Sequence, residues 1–235
     1  MNFKYYHGTS TIFLDSIRKT GLGTINPNFD NKNLEILQFL YHQSEKHLVN
    51  NSEYKKLRET SKAMAHQESY KFWVEELDKE ISLNYSHKNI YVSLSKIRAV
   101  IYASTNNYGS EILERCLTLY QLLQNKLTDF KIPEALNKFN IEQYINGDYK
   151  PIIVEVLNLD DEFLKKEDGT DPTSLFRFLR EELPYRTKKE QYEFPQGCNF
   201  KLLKPVSPES LRFYLLEYDG HPSDQRNFEW TLQPI

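Results

Sequence analysis

Hydrophobic and polar positions repeat with two different periods along this chain, and each change of period marks an element. Residues 3–7, Phe-Lys-Tyr-Tyr-His, form an aromatic run that reads as a short strand. His7-Gly8-Thr9-Ser10 then reads as a turn, and residues 11–19, apolar at Ile12, Phe13, Leu14 and Ile17, as a short helix stopped at Gly21. From Leu34 to about Ile81 the pattern is long, charged and helical. Leu34, Leu37, Leu40 and Tyr41 give a first helix its core stripe, and a second helix is expected over 54–83. Tyr91-Val92-Ser93-Leu94 reads as a strand feeding a helix over 96–104, where Ile97, Val100, Ile101 and Ala103 are apolar. The strongest helical pattern runs from Glu111 to Leu127, with Ile112, Leu113, Cys116, Leu117, Tyr120 and Leu123 on one face. The β-branched run over 150–157 predicts a buried strand. Asp171-Pro172 predicts a helix through Leu183, with Asp as cap and Pro at the first helical position. Strands are expected at 191–194 and 200–204, a capped turn at 207–211, and a closing strand at 212–218.

Strands gather at the two ends of the chain and helices in its middle. That order predicts an α+β fold in which a small sheet is interrupted by helical insertions at about 34–83 and 111–139. With no internal repeat and no long Pro/Gly/Ser linker, a single domain over 1–235 is preferred to two tethered ones.

Composition narrows the class. The chain has 235 residues, 39% hydrophobic and 27% charged, with 16 Tyr and 14 Phe, which is too aromatic for a disordered chain and too polar for a membrane protein. A formal charge of −3 gives no general argument for nucleic acid, although a local basic patch can still bind it. Cys116 and Cys198 form no C-x-x-C pair, so no zinc site and no disulfide framework is expected, and a reducing cytoplasm is the default setting. No apolar run approaches the roughly 20 residues that span a bilayer, and the N-terminus lacks the apolar core of a signal peptide. Gly21-Leu22-Gly23 is followed at the third required position by Asn26, so the dinucleotide fingerprint fails, as does any P-loop.

Two segments carry candidate chemistry. In Tyr6-His7-Gly8-Thr9, a histidine and a glycine stand together where backbone N–H groups and a ring nitrogen can face a ligand. In Asn89-Ile90-Tyr91-Val92-Ser93-Leu94-Ser95-Lys96-Ile97-Arg98-Ala99-Val100-Ile101-Tyr102, two tyrosines stand eleven apart with small residues between them. Together these segments resemble the ADP-ribosyltransferases of the diphtheria toxin and poly(ADP-ribose) polymerase type, with their His, Tyr, Glu signature. The resemblance covers about residues 7–22, 89–104 and 151–214 and leaves the helical insertions outside it. It implies the split small β-sheet of that family and NAD as co-substrate. It also implies roles: His7 and Thr9 on ribose, Gly8 on the nicotinamide carboxamide, and Tyr91 and Tyr102 on the two faces of the nicotinamide ring. A cationic ring gains about 0.5–2 kcal/mol from an aromatic face whatever the family; ordinary core packing is the competing account of both tyrosines.

The family places its catalytic glutamate at the start of a late strand, and Glu193 in Lys189-Glu190-Gln191-Tyr192-Glu193-Phe194 fits that place, with Glu190 in reserve. A carboxylate there would stabilise the oxocarbenium-like state formed as the nicotinamide–ribose bond breaks. Gln191 resembles the Gln-x-Glu arrangement of relatives that modify asparagine or guanine bases. Tyr185-Arg186-Thr187-Lys188-Lys189 lies where the family often has a target-recognition loop, and aromatic and cationic side chains together suit single strands.

The resemblance therefore implies a cytoplasmic mono-ADP-ribosyltransferase that needs no metal and acts on a macromolecular acceptor, protein or nucleic acid. A bacterial or phage toxin or effector, with an antitoxin or inhibitor as partner, is the implied setting. The alternatives are an NAD glycohydrolase using the same pocket and an inactive fold that binds a partner through its insertions. The RNA 2′-phosphotransferases fit less well, since their extra Arg and His residues have no counterpart.

Overall fold

The computed structural model describes residues 3–75, 78–85, 88–224 and 227–235. The chain divides into two compact units. The first comprises Met1–Ile25, Asn89–Ser110 and Asp148–Ile235, and the second Asn26–Lys88 and Glu111–Gly147.

The first unit is α+β and is organised by one antiparallel sheet. Its strands are β1 (Tyr5–Ser10), β4 (Tyr91–Ser93), β5 (Pro151–Val156), β6 (Leu164–Lys166), β7 (Asn199–Leu202), β8 (Leu211–Asp219) and β9 (Glu229–Pro234), in the spatial order β6-β7-β4-β1-β5-β8-β9. The pairing is uneven. β1 and β5 are in register from Tyr5 opposite Val156 to Ser10 opposite Pro151, whereas β1 meets β4 at one pair, Tyr6 opposite Ser93. The sheet thus consists of a three-stranded and a four-stranded part hinged on a single rung. After β1 the short helix α1 (Leu14–Thr20) runs as far as Gly21, whose φ of 91° stops it where the sequence pattern predicts.

Alternation along the strands sorts side chains onto two faces. Tyr5, Val92, Ile152, Val154, Val156, Phe200 and Leu202 enter the larger core, where α7 (Thr173–Glu181) adds Phe176 and Leu179. Rings organise this core: Tyr5 meets Phe200 edge-on at 6.0 Å between centroids, and Phe176 stacks on Phe200 at 5.0 Å. On the opposite face α5 (Lys96–Thr105) lays Ala99, Val100 and Ala103 against Ile153 and Leu216.

The second unit opens with one turn of helix, α2 (Pro27–Asp30). It packs α3 (Asn33–His47), α4 (Ser52–His66) and α6 (Glu111–Lys126) together and carries a separate hairpin of β2 (Ser69–Val74) and β3 (Lys79–Asn84). Ile36, Leu37 and Leu40 of α3 and Ile112, Leu113, Leu117 and Leu123 of α6 are fully buried. Arg115 reaches into α4, where its guanidinium donates to the Leu57 carbonyl, Thr60 Oγ1 and Ser61 Oγ at 2.7–3.0 Å.

Three expectations need correction. The helix expected over 54–83 ends at His66, because Gln67 adopts a left-handed conformation (φ 58°) that closes the helix. The residues beyond it alternate: Tyr70, Phe72 and Val74 are half-buried, and Lys71 and Trp73 are exposed, the two-residue period of a strand. The strand expected at 191–194 is instead part of a short helix, α8 (Lys188–Glu193). Thr187 caps it, and Glu190 reaches back to the Thr187 backbone, so a capping box decides the local structure. His7-Gly8-Thr9-Ser10 is not a turn but the last four residues of β1.

Candidate active site

His7, Gly8 and Thr9 lie on β1 beside the single rung that joins the two parts of the sheet. There the His7 side chain takes the place of a missing backbone bond: its Nδ1 lies 2.8 Å from the Tyr91 carbonyl oxygen. A carbonyl can only accept, so Nδ1 carries the hydrogen. Burial lowers the pKa of His7 below its usual range, against an opposing pull from the Tyr91 carbonyl. The imidazole is therefore neutral at pH 7 and Nε2 is a bare acceptor, the partner that a ribose hydroxyl requires.

Gly8 is fixed by packing before any ligand is considered. A Cβ placed on it would lie 2.2 Å from the Ala99 carbonyl oxygen and 3.1 Å from the Ala103 nitrogen. The small residues of α5 and the glycine of β1 thus allow helix and strand to touch. Ser95 starts that helix by accepting the Arg98 amide, and Ser93 Oγ in turn accepts the Ser95 amide. Tyr102 sits one residue before Ala103, so the helix that covers Gly8 also carries the second tyrosine.

Tyr91 is half-buried, and burial raises its phenol pKa, opposed by a bond from Asn89 and reinforced by the charge of Glu167. It stays a neutral phenol at pH 7. Thr9 is buried, and its hydroxyl donates to the Gly109 carbonyl at 3.3 Å. Gly109, at φ 67°, comes so close to β1 that a Cβ there would lie 2.4 Å from the Ser10 nitrogen. The hydroxyl expected to support ribose thus also ties the loop after α5 to the strand.

The carboxylate half of the expected site is placed differently. Glu193 ends α8, is exposed, and has its carboxylate 3.9 Å from Lys189. Glu190 is committed to the capping box, which holds its pKa below the usual carboxylate range. The Gln191 side-chain amide donates to the carbonyls of Pro184 and Arg186 at 3.0 and 2.9 Å, bracing the preceding turn. The late strand itself, β7, begins six positions later with Asn199, opposite Ser93. An amide, not a carboxylate, stands at its head. The chain between is nevertheless docked beside the first turn of α5, where Arg98 Nε donates to the Gln196 carbonyl at 3.2 Å.

One buried acid escaped sequence reasoning. Glu155, the last residue but one of β5, is 4% exposed and stands opposite Tyr6. Lys4 Nζ and the Tyr214 hydroxyl each donate to it at 3.1 Å. Burial pushes its pKa up, but these bonds and the charges of Lys4 and Lys96 outweigh burial, so it stays ionised. A lone Glu inside Ile152-Ile153-Val154-Glu155-Val156 was the available signal. Among the described residues no group of His, Cys, Asp and Glu could hold a metal ion, and no helix is long and apolar enough to cross a membrane. No protein-family model, no curated protein and no solved structure matches the chain.

Proposed function

We propose that this chain is a mono-ADP-ribosyltransferase that binds NAD where β1 and β4 part, and transfers ADP-ribose to a macromolecule. The observation that carries the reading is the fixed imidazole of His7: neutral, held through Nδ1 by the Tyr91 carbonyl, with Nε2 left to accept from ribose. In this reading Thr9 supports the ribose, Gly8 supplies backbone bonds to the carboxamide, and Tyr91 and Tyr102 bracket the ring. The bond between ribose C1′ and the nicotinamide nitrogen breaks, and nicotinamide leaves with the electron pair. The acceptor nucleophile then bonds to C1′ and releases its proton to a base. Glu193 is the carboxylate assigned to the oxocarbenium charge, and its loose pairing with Lys189 leaves it free to turn.

The position of Glu193 on an exposed helix, and of Asn199 at the head of β7, favours a second reading: a pocket that binds NAD without cleaving it, in a protein that works by binding a partner. Incubation with adenine-labelled NAD and cell extract separates the readings. Transferred label with nicotinamide release, lost in Glu193→Gln, supports the transferase. Release without transfer identifies a glycohydrolase, and NAD binding with no release identifies the inactive fold.

A further inference from the structure

The two most exposed large hydrophobic side chains of the described chain lie within eight residues of each other. Tyr185 is 88% exposed and Tyr192 65%, ahead of Trp73 at 60%. They flank Arg186, Lys188 and Lys189, all exposed. Exposed rings on a floppy loop would mean little, but this segment is braced. Gln191 donates both amide hydrogens to the carbonyls of Pro184 and Arg186, on either side of Tyr185. The capping box fixes Thr187 and Glu190, and Leu183 and Phe194 anchor the ends, the latter against Phe178 at 4.8 Å. The bonds that build α8 and the turn before it therefore also hold the backbone under the two rings, so its ordering precedes binding.

Charge selects the partner. Between Pro184 and Tyr192 three cations stand against one carboxylate, Glu190, and that carboxylate is turned onto the Thr187 amide and hydroxyl. Glu182 and Glu193 lie 3.9 Å from Arg186 and Lys189, at exposed positions where such contacts are weak and phosphate can replace them. No aliphatic residue lies between the rings, and the other exposed side chains there, Thr187, Glu190 and Gln191, are bonded within the segment. That is the chemistry of base stacking with phosphate contact.

We infer that residues 184–192 form a docking surface for single-stranded nucleic acid, with bases stacked on Tyr185 and Tyr192 and phosphates met by Arg186, Lys188 and Lys189. Gln191 is a positioning residue for this surface rather than a group that touches the acceptor. As a statement about the acceptor class this rests on the transferase reading, but binding itself requires no turnover.

The test is fluorescence anisotropy of the full chain with short fluorescein-labelled single-stranded RNA, single-stranded DNA and duplex DNA at low and high salt, without NAD. Single strands are expected to bind more tightly than duplex. Tyr185→Ala weakens binding by about 5- to 150-fold, and Tyr185→Phe retains it. Lys188→Ala with Lys189→Ala lowers the slope of log affinity against log salt by about 0.7 for each phosphate that is no longer neutralised. Gln191→Ala weakens binding while leaving the far-ultraviolet circular dichroism unchanged. Absence of single-strand binding, or binding indifferent to Tyr185→Ala, would overturn the inference, and label that resists nuclease but is lost to protease would overturn nucleic acid as the acceptor. Strand binding by these rules with no NAD cleavage defeats the transferase reading alone, and nicotinamide release with no strand binding defeats this surface alone.

Discussion

His7, Gly8 and Tyr91 belong to strands in the middle of a seven-stranded sheet, and the bond that defines them joins positions 84 apart in sequence. Glu190, Gln191 and Glu193 belong to a six-residue helix at the surface, where the bonds of Glu190 and Gln191 reach back no more than seven positions. In the first region the fold is a condition for the proposed site: replacing the glycine or the histidine disturbs the contact of strand and helix or of β1 and β4 as well. In the second the site residues are ornaments on local structure, and their chemistry can be altered while the fold stands. Stability and activity should therefore fall together in the first region and separate in the second.

The largest effect is expected at Gly8. Gly8→Val forces a side chain into the Ala99 carbonyl and should cost about 3 kcal/mol or more in a denaturant melt, the upper range for overpacking. A loss below about 1 kcal/mol would show that α5 can move away and that the close approach is not required. His7→Ala leaves the Tyr91 carbonyl without its donor and should cost about 1–3 kcal/mol.

Acid sharpens the same point. The folded protein holds the His7 pKa below its unfolded value of 6.5, so the unfolded chain binds the proton first as pH falls. The contribution of His7 is complete above pH 6.5 and is lost as the pH drops from there toward the folded pKa. The melting temperature of the wild type should fall across that window more than that of a His7→Gln variant; parallel curves would contradict the burial of His7.

Effects in the second region are smaller on the fold. Thr187→Ala removes the capping box and should cost about 1 kcal/mol, confined to α8 and visible as faster amide exchange there. Glu193→Gln should change stability by less than about 0.5 kcal/mol, as expected of an exposed position, while lowering turnover about 100-fold or more with little change in NAD affinity. Equal loss of turnover and affinity, or loss of neither, would remove Glu193 from the role assigned to it.

The elements legible in the sequence are those whose own apolar or small-residue pattern is sustained. The stripe of α6, the β-branched run of β5 and the small-residue face of α5 all belong to this group. The hidden elements are decided by capping or lie directly after a stronger helical pattern. The polar stretch at 188–193 carries too few apolar positions for a period to show, and a Thr–Glu pair three apart settled it as a helix. The hairpin at 69–84 was absorbed into a neighbouring helix, although Tyr70, Phe72 and Val74 already alternate. For the site, the His7-Gly8 and Tyr91 pieces were readable as types of residue, but the bond between them was not, since it exists only once β1 and β4 pair at one rung. Glu155 was overlooked because a charged residue is expected outside, and its partners Lys4 and Tyr214 come from opposite ends of the chain.

Calorimetric titration of NAD into the wild type and into Tyr91→Ala and His7→Ala variants, each first shown to be folded, tests the central claim most directly. A pocket where β1 and β4 part predicts one NAD per chain, with affinity lowered about tenfold or more in both variants. No binding by the wild type, or equal affinity in all three proteins, would contradict it.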